Sequence, residues 1–358
     1  MKITSLSRRL SSAVHRLSAC AVLSAAAFGA MAQTAEDRFI GLIEPIKAQK
    51  PYKIGVTVVH LHDDFYKGIV YGIEDEAKRS GVNVVQVSVA GAYGNVREQF
   101  AQLNAFKTLG VDVAVVSAAA FNGYDPILKS LKDAGILVAA VGIPVNSANV
   151  AFGVLQDDGE IGRTLADAVC KNNDPGKILT VPGPAGAEWA RLRYVGFMDQ
   201  AKKCPGLAPV EGAFGGALGL QHGLTQTSDL LLRHPDAKYV YTPEISLAMG
   251  AAQAIRQQNR KVKVVSSSMV KEAIPMVKDG RLLAVVSEPG IIMGRLIVQY
   301  AIRQLEGKPT PKLSAPDKSS PYAYFNVPPE MIRPDNVDKH PYHIYEIPPA
   351  DWRLPVKQ

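Results

Sequence analysis

From Lys53 onward the chain alternates between short apolar runs and longer amphipathic stretches that stop on glycine. "KIGVTVV" (53–59), "NVVQVSV" (83–89), "VDVAVVSA" (111–118) and "ILVAAVG" (136–142) read as strands. Between them, "FYKGIVYGIEDEAKRSG" (65–81) and "NVREQFAQLNAFKTLG" (95–110) read as helices that end at a C-cap glycine, and "YDPILKSLKDAG" (124–135) as a third helix. After "NVAFGV" (149–154) the rhythm resumes. Strands are expected at 176–181, near 208–212, and at 238–242, 262–267 and 281–286. Helices are expected near 158–171, in the stretch that follows "PGPAGA" (182–187), and at 219–233, 245–258, 270–279 and 290–306. Strict alternation of this kind makes an α/β protein with parallel sheets covered by helices on both faces. There are too many strands for one modest sheet, so two Rossmann-like lobes joined by hinge crossovers are expected. Residues 51–148 with about 287–306 would form the first lobe, and 149–286 with about 318–330 the second. An arm (33–50) precedes them and a tail (331–358) follows. Hinges are expected near 147–153, 284–290 and 307–320. Open parallel sheets bind ligands beyond the carboxyl ends of their strands, so facing lobes would place those loops on two walls of one cleft.

The amino terminus stands apart. Lys2, Arg8, Arg9 and Arg16 precede or flank "LSACAVLSAAAFGA" (17–30), and "AMA" (30–32) places small residues before Gln33. These are the parts of a Sec-type signal peptide cleaved after Ala32, and they predict a periplasmic protein. Of the formal net charge of +7, those four cations supply four units and no acid offsets them, which leaves +3. A nucleic-acid partner therefore loses its electrostatic support. Outside the leader the only cysteines are Cys170 and Cys204, each near the end of an expected helix. They are either a disulfide or two free thiols. No clustered Cys/His spacing suggests a metal site, and no cofactor motif is present. No G-x-S-x-G elbow accompanies the seven histidines, so catalysis is not expected.

"TVPGPAGAEWARLRYVGF" (180–197) is a strand end, a glycine-rich turn and a helix. The glycines lack the spacing of a phosphate cradle. The stretch reads instead as a loop presenting Trp189 and Arg191 to the cleft. Trp189 could equally pack in a core, and Arg191 could pair with Glu188 on the helix surface.

These segments resemble the type I periplasmic binding proteins of the ribose-binding kind over roughly residues 50–330. The resemblance is carried by "KIGVTVVHLHDDFYKGIVYGIEDEAKRSG", "GVDVAVVSAAAFNG", "RLRYVGF", "YTPEISLAMGAAQAI", "VKVVSSS" and "AVVSEPGIIMGRLIVQYAIRQLEGKP". "VPGP", "LLLRHPDAKYVYTPEISLAMGAA" and "PPADWR" look more narrowly like the TorT subfamily of periplasmic sensors of trimethylamine N-oxide. The resemblance implies a ligand site of Asp64, Phe65, Tyr66, Tyr93, Phe121, Asn122 and Asn146 from the first lobe. Asp157, Trp189, Arg191, Glu244, Ser268 and Glu288 would come from the second. An aromatic cage built on tryptophans is not expected, because the chain has only Trp189 and Trp352. The ligand implied is one small polar molecule: an amine oxide, sugar, polyol or carboxylate. The closed form would signal to the periplasmic domain of a membrane histidine kinase; the alternative partner is an ABC permease.

Overall fold

The computed structural model describes residues 35–318 and 320–354; the expected signal peptide lies outside them. Met1–Glu44 and Pro45–Gln358 are separate compact units, and the described part of the first holds helix α1 (Ala35–Leu42). The second contains both sheets.

The first sheet is built from β1 (Lys53–Val58), β2 (Asn83–Val89), β3 (Val113–Val116), β4 (Leu137–Gly142), β5 (Phe152–Leu155) and β11 (Ala323–Asn326), in the order β11-β5-β4-β3-β1-β2. Every pairing in it is parallel. Helices α2 (Asp64–Ser80), α3 (Val96–Leu109), α4 (Asp125–Asp133) and α10 (Gly290–Leu305) accompany it. The second sheet runs β12-β10-β9-β8-β6-β7. It comprises β6 (Gly176–Thr180), β7 (Leu207–Pro209), β8 (Ala237–Tyr241), β9 (Lys263–Ser267), β10 (Leu282–Ser287) and β12 (Glu330–Ile332). Only β12 pairs antiparallel, on the edge. Helices α5 (Asp158–Lys171), α6 (Glu188–Ala201), α7 (Leu220–Arg233), α8 (Ile245–Gln257) and the short α9 (Ile274–Lys278) cover its faces.

The glycine stops behave as expected. Gly81 and Gly110 take φ of 79° and 60°, left-handed values that close α2 and α3 without a Cβ penalty. Helix α10 docks on α2 through a buried ion pair. Arg295 Nε donates to Glu76 Oε2 at 2.8 Å, and Gln299 donates to Glu76 Oε1 at 2.7 Å. Each charge is therefore paired and hydrogen-bonded, the condition for burying it.

Two boundaries differ from expectation. Residues 152–155 and 323–326, expected in the second lobe, form β5 and β11 of the first sheet. Four-residue apolar strands carry no mark of which sheet they join. The crossovers consequently fall at 156–157, 288–289 and 327–329; of the expected hinges only 284–290 includes one. The segment expected as a helix over 270–279 is a 3-10 turn (Lys271–Ala273) continued by α9.

The tail is ordered around a buried carboxylate. It carries β12 and a short helix, α11 (Tyr342–Tyr345). Glu346 Oε2 accepts from Ser287 Oγ at 2.8 Å and from the Glu288 N–H at 3.1 Å, at the second crossover. Trp352 Nε1 donates to Glu74 on α2 at 3.0 Å. His340 lies 2.9 Å from Glu346 and 3.3 Å from Glu330. Burial pulls the His340 imidazole down, but its hydrogen bonds and charge attraction to those two carboxylates outweigh it and hold it up at about 9. A folded value above the ordinary 6.5 stabilises the fold fully below pH 6.5 and is lost as pH rises through about 9. Urea unfolding followed from pH 6.5 to 9 should therefore show a loss that His340→Gln removes, worth about 2 kcal/mol. Identical slopes in the two proteins would refute this.

Candidate functional site

Helix phase decides which arginine reaches the cleft. Successive residues turn by about 100°, so positions 189 and 193 share a face of α6 while 191 lies about 200° from 189. Trp189 and Arg193 are buried, and the guanidinium carbon sits 4.9 Å from the indole centroid. Arg191 points outward and pairs with Glu188 at 2.6 Å. The sequence-based choice of Arg191 is therefore corrected to Arg193. Helices α5 and α6 touch backbone to backbone, which brings Arg193 to the amino terminus of α5. A Cβ at Gly162 would lie 2.0 Å from the Arg193 carbonyl oxygen, so only glycine fits.

Arg193 is 2% exposed, and a bare guanidinium that deep would be prohibitive. Its Nε donates to Asp158 Oδ1 at 2.9 Å. Its NH1 group reaches Glu288 Oε1 at 2.5 Å, Ser267 Oγ at 2.6 Å and the Pro243 carbonyl at 2.9 Å. Burial acts to lower the Arg193 pKa, but Glu288 and Asp158 outweigh it and raise it, so the group stays charged. Burial pushes the Asp158 carboxyl up to about 6 even against Arg193. Ser268 holds φ of 67°, a left-handed conformation uncommon outside glycine, and its hydroxyl donates to Glu288. The network thus ties α5, α6, the ends of β8 and β9, and the second crossover together.

Around it lie two adjoining spaces. The outer cavity, about 700 Å³, is walled by the loops after β1 to β4, with His62, Phe121 and Pro144 among them, and by residues 184–189 and 217–218 opposite. The inner chamber, about 30 Å³, is lined by Asp63, Phe65, Tyr66, Gln156, Arg193, Glu244, Ser268 and Glu288. His60, Tyr93, Ile143, Trp189 and Leu218 border both. The two sheets' loops therefore meet at one place. Tyr66 and Tyr93 share a hydroxyl hydrogen bond of 2.8 Å. Asp63 Oδ1 caps α2 by accepting from the Tyr66 N–H at 3.1 Å. Burial nevertheless pushes Asp63 up to about 7, with the Glu244 and Glu288 charges adding to it. Glu244 caps α8 through the Ser246 N–H at 2.8 Å and is pushed up by burial. Burial, then His62, brings His60 down to about 4, which leaves it neutral. Three buried polar atoms on these walls have no hydrogen-bond partner: His60 Nδ1, Gln156 Oε1 and Trp189 Nε1.

Of the expected residues, Phe65, Tyr66, Tyr93, Trp189, Glu244, Ser268 and Glu288 converge on the inner chamber, and Phe121 lines the outer cavity. The others do not reach either space. Asp64 lies 3.6 Å from Lys67 and faces a separate recess beside the tail, while its neighbour Asp63 enters the chamber. Asp157 caps α5 through the Glu160 N–H at 2.8 Å, while Gln156 and Asp158 flank the site. Asn122 and Asn146 are exposed and bond each other at 2.9 Å. In the pairs 63/64 and 157/158 the acid that caps or flanks a helix cannot be told from its neighbour by residue type. Helical phase was available for Arg193, because Trp189 four residues earlier marks the inward face.

Cys170 and Cys204 form a disulfide with Cα atoms 5.8 Å apart, joining the end of α5 to the segment after α6. Among the described residues no group of His, Cys, Asp and Glu side chains is placed to hold a metal ion.

A sequence profile of the periplasmic binding protein domain matches residues 54–309. The chain is 26% identical over 272 residues to the ribose import binding protein of Bacillus subtilis, covering 75% of this chain and 87% of that one. It is 27% identical over 302 residues to the periplasmic protein TorT of Escherichia coli K12, covering 82% of each. Among solved structures it is similar to the substrate-binding protein of a sugar ABC transport system from Bordetella parapertussis. That pair shares 57% identity and a TM-score of 0.86, over 89% of this chain and 100% of that one.

Proposed function

The chain belongs to the periplasmic binding protein family, and from that premise we propose that it is the substrate-binding subunit of an ABC importer for a sugar or polyol. The observation that carries the reading is the set of unpartnered buried polar atoms that, with the Arg193 network and the aromatic residues Phe65, Tyr66, Tyr93, Phe121 and Trp189, line two adjoining spaces built from both sheets. Each such atom lacks the partner that buried polar groups normally have, and a polyhydroxylated solute supplies donors and acceptors to all of them. Rings stack on the apolar faces of a sugar. The likeness to a sugar transport component at 57% identity supports the importer over the sensor expected from the short TorT-like strings. Contacts from both walls would favour a closed form, the state a permease would recognise. The disulfide suits an oxidising compartment such as the periplasm.

The sensor remains the second reading, favoured by the match to TorT across 82% of both chains. Thermal-shift titration of the purified chain with sugars, polyols, amine oxides and carboxylates separates the two. A sugar or polyol should raise the unfolding midpoint by mass action. Stabilisation by an amine oxide alone would replace the importer with the sensor.

A further inference from the structure

We infer that the cleft selects a polyhydroxylated solute carrying a protonated amine, with the ammonium in the inner chamber, and that it rejects anionic sugars. The inference rests on reading the cleft as a solute site and goes on to name its substrate class.

The chamber's lining holds three carboxylates, from Asp63, Glu244 and Glu288, against one guanidinium. Arg193 already serves Glu288 and Asp158 through its direct bonds. Among the described residues neither Asp63 nor Glu244 has a charged cationic side-chain partner: the His60 imidazole, 3.7 Å from Asp63, is neutral, and Glu244 is held by Ser246. Both line the chamber, and burial raises the pKa of each, so a cation placed there would supply the counter-charge that their ionised forms lack. A separate feature points to a ligand rather than to helix caps alone. Gln156 Oε1, on a residue 6% exposed, lines the chamber without a donor. It can only accept, so it calls for an N–H or O–H from the solute.

Size agrees with charge. A space of about 30 Å³ admits a group of one or two heavy atoms, not a sugar ring, and the adjoining cavity of about 700 Å³ takes the hydroxylated body. The aromatic residues Phe65, Tyr66, Tyr93 and Trp189 line the chamber, and the Trp189 ring already lies under the Arg193 guanidinium, a pairing of the kind aromatic faces make with cations. A carboxylate or phosphate in the same place would meet like charge in a poorly hydrated site, which is how a cleft excludes a competitor.

Calorimetry with matched neutral, amino and acidic solutes tests this: glucose, glucosamine and glucuronate, then sorbitol and 1-amino-1-deoxysorbitol. The amine is expected to bind at least about tenfold more tightly than its neutral counterpart, with the acid weakest. Asp63→Asn with Glu244→Gln should reduce the gap to about threefold or less. Each single variant, checked by its own unfolding curve, serves if the pair folds poorly. A neutral solute that binds as tightly as its amine, or a preference that survives the double variant, overturns the inference and leaves the importer reading standing. If none of these and no other sugar or polyol binds, the importer reading itself fails and takes this inference with it.

Discussion

Arg193→Met is expected to abolish solute binding and to cost about 3–5 kcal/mol of stability, because two carboxylates lose their only buried counter-charge. Asp158 and Glu288 are 3% exposed each and cannot turn to water. They would be left as buried carboxylates without a counter-charge, and the bonds that hold Ser267 and the Pro243 carbonyl in place go with the guanidinium. Loss of folding could be mistaken for loss of function, so the second arm adds Asp158→Asn and Glu288→Gln. That triple variant removes the unpaired charges and should recover much of the stability while binding stays lost. The control is Arg191→Ala. Its partner Glu188 lies on an exposed face, and such pairs contribute about 0–1 kcal/mol. Urea unfolding and calorimetry on the same preparations read both effects. Wild-type affinity in Arg193→Met, or lost affinity in Arg191→Ala, would remove the buried network from the site.

Replacing Cys170 and Cys204 together by serine should cost about 3–4 kcal/mol, the chain-entropy value for a loop of this length. The bond joins residues 34 apart in sequence. It staples the carboxyl-terminal ends of α5 and α6, whereas Asp158 and Arg193 lie toward the opposite end; the rise of α5 alone separates Asp158 from Cys170 by about 18 Å. Solute affinity should therefore remain near that of the wild type. Urea midpoints with and without reductant provide the measurement. A reductant that leaves the wild-type midpoint unmoved would argue against the bond as a stabilising element, and a large loss of affinity would show that the staple positions the cleft.

The aromatic part of the site was legible. Phe65 and Tyr66 open a helix after a predicted strand, so a loop at the carboxyl end of that strand had to carry them near any cleft. Glu244, Ser268 and Glu288, implied by the family resemblance, line the chamber too, each just beyond a strand. Three expected residues lie one or two positions from those that line the cleft: Asp64 beside Asp63, Asp157 beside Gln156 and Asp158, and Arg191 two before Arg193. A composition or motif match identifies the loop, but one step along a helix turns a side chain by about 100° and two steps carry it to the opposite face. The tail gave no sign that Glu346 and His340 would be buried against the second crossover, since those contacts join residues distant in sequence.

What the sequence determined by itself was the alternation of elements and their ends, because apolar runs, amphipathic periodicity and glycine stops are local properties of consecutive residues. Tertiary structure alone decided which sheet received β5 and β11, and that Cys170 met Cys204. Each of these depends on which surfaces remain to be covered once the helices have packed, and a buried charge settles only where partners from several segments arrive together.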